Sequence, residues 1–203
     1  MKKLPAMLVV VLGVASLFAD DYKVFDHGRT WSLEKKTMTV SGESIARWTI
    51  TGCTPLPEGE FTVPAKIGNI SVWGVADKAF SGATNVTSVT VEPGIKRIGY
   101  AFYTADADKN VLPSNIEKVS LPAGIEYLDC DAFQNSKIER EQASKGWVVD
   151  GYFIKYKGTD ETYTIPAGVK HICVTAFYRA NNQLARVCSQ EHRHSRRRRD
   201  NPG

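Results

Sequence analysis

The sequence predicts a mainly β fold, a solenoid of irregular repeats behind a small N-terminal β cap. Three observations carry this. Pro64, Pro93, Pro122 and Pro166 each lead to an Ala-Phe pair, at Ala79-Phe80, Ala101-Phe102, Ala132-Phe133 and Ala176-Phe177. Residues 122–133 and 166–177 align without a gap. The residues leading into each Pro alternate polar and apolar. A chain that repeats one unit builds a stack, and the product of a stack is an extended surface rather than a pocket.

Residues 1–19 read as an export signal: Lys2 and Lys3 supply charge, Leu8 to Leu17 form a short apolar run, and Ala19 offers a small residue for cleavage. The run is shorter than the roughly 20 apolar residues a membrane span needs, and the mature chain is expected to contain no span. Residues 20–58 read as the β cap. Thr30 to Leu33, Thr37 to Val40 and Arg47 to Ile50 alternate apolar and polar, with a break at Ser41-Gly42-Glu43. Such a segment covers the exposed edge of a first coil.

Residues 59–188 hold the repeats. Glu60-Phe61-Thr62-Val63, Ser88-Val89-Thr90-Val91, Lys118-Val119-Ser120-Leu121 and Thr162-Tyr163-Thr164-Ile165 share one order, and period two with β-branched enrichment makes each a half-buried strand. All four are expected to be neighbours in one parallel sheet. Phe61, Val89, Val119 and Tyr163 then face the core. Thr62, Thr90, Ser120 and Thr164 form a row on the other face, beside Glu60, Ser88, Lys118 and Thr162. Pro ends each strand because it cannot donate to a ladder, and Gly94, Gly124 or Gly168 admits the turn that follows in three copies. A second apolar segment, ending at Val75, Ile98, Leu128 or Ile172, returns along the far side. The Phe of each Ala-Phe pair is expected to fill the interior.

Two insertions break the period. Residues 103–115 read as a polar loop. Residues 134–161 contain a short helix around 138–144 and then Asp150-Gly151 between apolar runs, a hairpin signal. This hairpin is expected to form a small lobe projecting from the stack. Residues 189–203, with Arg196 to Arg199 and no apolar side chain, are expected to be a disordered basic tail. They read either as a basic arm or as an out-of-frame end of a longer gene.

The formal charge of +4 sits at the two ends of the chain. Residues 20–185 carry 18 basic and 20 acidic residues, which gives no electrostatic argument for nucleic acid. The cysteines, Cys53, Cys130, Cys173 and Cys188, lack metal-type spacing. Aligning the Ala-Phe pairs puts Cys130 and Cys173 on successive copies one position apart. A Cys130–Cys173 disulfide between adjacent coils and a pair of buried free thiols are both compatible with that spacing.

Residues 88–102 resemble the BspA-type leucine-rich repeat of secreted and surface bacterial proteins. The resemblance takes in Thr30-Trp31, residues 62–72 and the stretch from Trp147 to Phe177, and covers roughly residues 28–188. It implies a β-rich, leucine-rich-repeat-like solenoid and roles in adhesion or protein recognition, and it implies no catalysis.

The residues agree with a non-enzymatic reading. No nucleophile elbow, zinc-protease helix motif, phosphate loop or dinucleotide fingerprint occurs. His27 and His171 read as surface or structural, and His192 with His194 is a weak metal signal. Asp106, Asp108 and Asn110 alternate as in part of a calcium loop but lack its Gly and distal Glu, so a solvated loop is expected, with no metal and no cofactor. Asn69-Ile70-Ser71 and Asn85-Val86-Thr87 are formal glycosylation sequons that the repeat pattern explains without glycans.

The resulting expectation is a secreted or cell-surface module that recognises an extracellular protein through Ser88, Thr90, Lys118 and Ser120. One alternative is a truncated fragment of a longer surface protein. Another is an accessory carbohydrate-binding module using Trp73, Trp147, Tyr152 and Tyr156 as exposed platforms.

Overall fold

The structure is a computed structural model that describes residues 21–40, 43–142, 144–160 and 162–178. The export signal at 1–19, the end of the repeat region at 179–188 with Cys188, His192, His194 and the basic tail lie outside the described residues.

The chain opens with an antiparallel meander: β1 (Asp21–Asp26), β2 (Arg29–Val40) and β3 (Glu43–Thr54). His27 and Gly28 join β1 to β2 with positive φ angles of 49° and 74°, which suits a two-residue hairpin turn. Next come β4 (Gly59–Val63), β5 (Lys66–Ile67), β6 (Ile70–Val75), β7 (Val86–Val91), β8 (Arg97–Ile98), β9 (Lys118–Ser120) and β10 (Tyr127–Leu128). The short α1 (Lys137–Glu141) starts at Ser136, whose hydroxyl accepts from Glu139 N as an N-cap. Then follow β11 (Gly146–Val149), β12 (Tyr152–Tyr156) and β13 (His171–Ile172).

The repeats lay down two parallel ladders. One is the sheet β4-β7-β9, in which Phe61 pairs with Val89 and Val89 with Val119. The other runs β6-β8-β10, pairing Val75 with Ile98 and Ile98 with Leu128. It continues the meander, because β3 pairs in parallel with β6. Inward side chains of both sheets belong to one core cluster. Phe80, Phe102 and Phe133 fill it, with ring centroids 5.0 Å apart for the first pair and 5.6 Å for the second. Backbone bonds link the same positions, from Phe80 N to Ala101 O (2.9 Å) and from Phe102 N to Ala132 O (3.1 Å).

Two expectations fail at the fourth copy. Residues 162–165 are not a strand and do not join β9. Their alternation survives, with Thr162 and Thr164 exposed and Tyr163 and Ile165 half-buried, but it is not hydrogen-bonded into a sheet. The cause is the hairpin β11–β12, turned through Asp150 and Gly151, which precedes them in the stack. It does not project as a lobe. Trp147, Tyr152, Phe153, Ile154 and Tyr156 are all buried in the core cluster.

The hairpin is a disguised coil. Tyr156 N donates to Ala176 O at 2.8 Å, as Phe102 N does to Ala132 O. Cys173 N donates to Phe153 O at 2.9 Å, as Asp129 N does to Ile98 O. Lys155-Tyr156 therefore occupies the Ala-Phe position. Phe177 accordingly packs against Tyr156, at 5.7 Å, and also stacks on Phe153, at 5.3 Å, with the hairpin between it and Phe133.

Where the third coil meets this hairpin, the described residues show no strand pairing between β10 and the sheet β11-β12-β13. Side chains bridge the seam instead. Asp150 Oδ2 accepts from Leu121 N at 2.7 Å. Tyr152 OH accepts from Ile125 N at 3.1 Å and donates to Pro122 O at 2.9 Å. Thr175 Oγ1 accepts from Cys130 N at 3.0 Å.

Two predictions follow from this packing. Phe133→Ala, at a ring only 1% exposed, should destabilise the fold by about 3–5 kcal/mol, because the deletion leaves a cavity in the ladder. Tyr152→Phe removes a single oxygen yet strands a buried amide and a carbonyl, so its cost should be about 1–3 kcal/mol. Urea unfolding measures both, and a near-zero value for either would mean that the side chain is not packed as described.

Candidate functional site

The strand β7 and its two neighbours present one polar face. Period-two alternation sends Val89 and Val119 into the core, so the residues between them must point outward. Register then aligns Glu60 with Ser88 and Ser88 with Lys118, and beside that column Thr62 with Thr90 and Thr90 with Ser120. Strand spacing sets successive members about 4.8 Å apart. Glu60, Thr62, Thr90 and Lys118 are exposed, whereas Ser88 and Ser120 are half-buried. The structure thus brings Ser88, Thr90, Lys118 and Ser120 together on adjacent strands. The rows do not extend to Thr162 and Thr164, which lie beyond the hairpin.

Side chains tie off the ends of the strands carrying this face. Glu92 Oε2 accepts from Ala65 N at 2.8 Å, just past β4, and Asp150 does the same for Leu121 just past β9. The face itself holds hydroxyls with an acid at one edge and an amine at the other. This set can form hydrogen bonds and opposed charge contacts along an extended partner.

The aromatic platform expected for a carbohydrate module is not formed. Trp147, Tyr152 and Tyr156 are 0%, 2% and 2% exposed. They face inward because the hairpin is a coil of the stack. Trp73 is half-buried, with the Arg47 guanidinium 4.4 Å from its ring centroid. A second such pair, Arg97 over Tyr127 at 4.7 Å, lies on the same seven-stranded sheet. These pairs were legible in principle, since Arg97 and Tyr127 precede Ile98 and Leu128 at equivalent repeat positions.

Other candidate groups are engaged locally. Asp106 accepts from the backbone of Asp108 and Asn110 and from the Asn110 side chain, bonds that hold its carboxyl below the usual range. His27 sits 3.1 Å from Asp26, and His171 stacks on Tyr152 at 4.8 Å. Asp129, Cys130 and Asp131 bring ligand atoms within 4.8 Å of one another. Asp129 already accepts from Tyr127 OH and Asp131 N, and Asp131 pairs with Lys155.

Cys53, Cys130 and Cys173 are buried free thiols. No Cys130–Cys173 bridge is formed, although the two lie near one another: Cys130 N donates to Thr175 Oγ1 at 3.0 Å, two residues beyond Cys173. Burial raises the thiol pKa of all three, and for Cys173, with Cys130 adding to the effect, it is pushed up to about 12.

The pattern that builds this face also matches a known family. The model of the BspA type leucine rich repeat region matches residues 22–145 and 60–182, in six copies. The chain belongs to that family. The resemblance of residues 88–102 therefore stands, although the Pro and Ala-Phe signature marks only four copies. The hairpin coil, in which Lys155-Tyr156 replaces Ala-Phe, lacks that signature. No curated protein and no solved structure is matched by this chain.

A raised pKa leaves little thiolate at mildly alkaline pH, and the thiolate is the reactive form. Iodoacetamide at pH 8 should leave Cys53, Cys130 and Cys173 of the native protein unmodified, with all three alkylated in guanidinium. Peptide mapping reads each site separately, and fast native labelling of Cys173 would contradict its burial.

Proposed function

We propose that this protein is a secreted or cell-surface binding and adhesion module without enzymatic activity, a solenoid whose meander β1–β3 caps the first coil. It captures an extracellular protein through the face bearing Ser88, Thr90, Lys118 and Ser120. The observation that carries this reading is the in-register polar ladder on β4-β7-β9. Repeat stacks bind through extended faces on which successive coils present equivalent side chains. Family membership supports a repeat-based binding module. Export rests on the N-terminal apolar segment, and no helix among the described residues is long and apolar enough to cross a membrane.

The in-register hydroxyls and opposed charges of the face fit a protein partner. A binder of this kind gains specificity from hydroxyls whose spacing is fixed by the strands and from opposed charges at the rim. Glu60 and Lys118, one on each side of Ser88, supply those charges.

Replacing Ser88, Thr90, Lys118 and Ser120 together with alanine should weaken capture by immobilised extracellular matrix proteins at least tenfold, a loss of about 1.4 kcal/mol or more. These side chains lie outside the core, so the melting temperature should stay within a few degrees of wild type. Surface plasmon resonance and thermal melting measure the two effects. Undiminished capture by a folded variant would move the site off this face.

A further inference from the structure

The seam between the third coil and the hairpin contains a buried triad that the binding face does not use. Lys155 on β12, Asp131 in the turn after β10 and Glu139 on α1 meet there. Lys155 Nζ lies 2.5 Å from Asp131 Oδ1 and 3.4 Å from Glu139 Oε1. The three side chains are 10%, 23% and 11% exposed. Glu139 is held with its two oxygens in different roles. Oε2 accepts from Asn135 N at 2.6 Å, which leaves Oε1 directed at the amine. Lys157 Nζ donates to Glu139 O at 2.7 Å, and Ser136 caps the helix, so the acid's backbone is fixed as well.

We propose that Lys155 and Asp131 condense to an intramolecular isopeptide bond, with Glu139 carrying the proton. Three features of the site favour it. The amine and the carboxyl are already in contact, so the reaction is intramolecular, and oriented groups at about 3–3.5 Å react with effective molarities of roughly 10⁵–10⁸ M. Burying an ion pair costs several kcal/mol per ion after relaxation, roughly, and an amide at the same position carries no charge. A second carboxylate stands beside the amine, where a simple ion pair needs only one. Burial drives the Lys155 amine toward its neutral form. The hydrogen bond to Asp131 and the charges of Glu139 and Asp131 outweigh that and raise its pKa, so the resting amine is protonated.

The step therefore begins with proton transfer. Glu139 takes a proton from Nζ and passes it to an Asp131 oxygen, the free amine attacks Cγ of Asp131, and a second Nζ proton follows through Glu139 to the same oxygen, which departs as water. One C–N bond forms and one C–O bond breaks. The ammonium and the carboxylate become one neutral amide and one water, and no oxidant, reductant or other reactant is consumed. The water leaves through the cleft of about 500 Å³ that Glu139, Lys155 and Tyr156 help to line. The product would be a covalent staple across the seam that lacks strand pairing.

Mass spectrometry of the full chain, purified folded and then denatured, reduced and alkylated, tests this. Wild type should weigh one water less than its sequence, about 18 Da, and a protease digest should yield a branched peptide joining residues 131 and 155. Lys155→Arg and Asp131→Ala should have full mass. Glu139→Gln, checked for folding by circular dichroism, should form the bond about 10²-fold more slowly or worse. Folded wild type at full mass overturns the proposal. So does a water loss that maps to a cyclic imide at Asp150-Gly151. An undiminished rate in Glu139→Gln overturns the role given to Glu139.

Discussion

The architecture depends on two spacings being equal. The rings of Phe80, Phe102 and Phe133 follow one another at 5.0 and 5.6 Å, and hydrogen-bonded strands lie about 4.8 Å apart. One aromatic ring per coil therefore fills the interior at nearly the pitch that the backbone ladder demands. The residue before each ring is Ala, at most 4% exposed at Ala79, Ala101 and Ala132. Its carbonyl accepts from the neighbouring coil at positions 101 and 132. Once pitch is fixed in this way, register on the outer face follows without further specification, and the polar columns of β4, β7 and β9 line up.

Much of this was legible from local pattern. Alternation identified β4, β7 and β9, and the Ala-Phe pairs identified the core rings, because both signals come from side chains that must face one way. The fourth coil was not legible. Its equivalence to the others is carried by backbone bonds at Phe153 and Tyr156, and side-chain matching cannot detect these once Lys155-Tyr156 replaces Ala-Phe. The strand placed at 162–165 was an error of the same origin, since its alternation is real but the neighbour it needed had been displaced by the hairpin. Aromatic content misled in a different way. Trp147, Tyr152 and Tyr156 are large enough to serve as platforms, but composition does not say which side of a coil they face.

The candidate face was legible on three of the four strands assigned to it. Ser88 to Lys118 and Thr90 to Ser120 are true register pairs, and the strand lost is the one beyond the hairpin. The triad of Lys155, Asp131 and Glu139 gave no sequence signal. Its members lie up to 24 positions apart, in a turn, a helix and a strand, and the shortened coil brings them together. Phe153 and Tyr156 are three positions apart, whereas Leu128 and Phe133 are five apart. The shorter path cuts a corner, and the turn of the third coil then reaches Lys155 and Thr175 across it.

That shortened coil also bears on how repeat number can change. Inserting or removing a coil within a continuous ladder requires both new edges to reproduce the hydrogen-bond register of the old ones, and a slip of one residue turns every side chain to the wrong face. A junction joined by side chains imposes a looser condition. Asp150 and Tyr152 must find their amide partners, but no strand register has to be matched across it. The seam therefore joins two blocks of repeats without requiring one strand register to run through both.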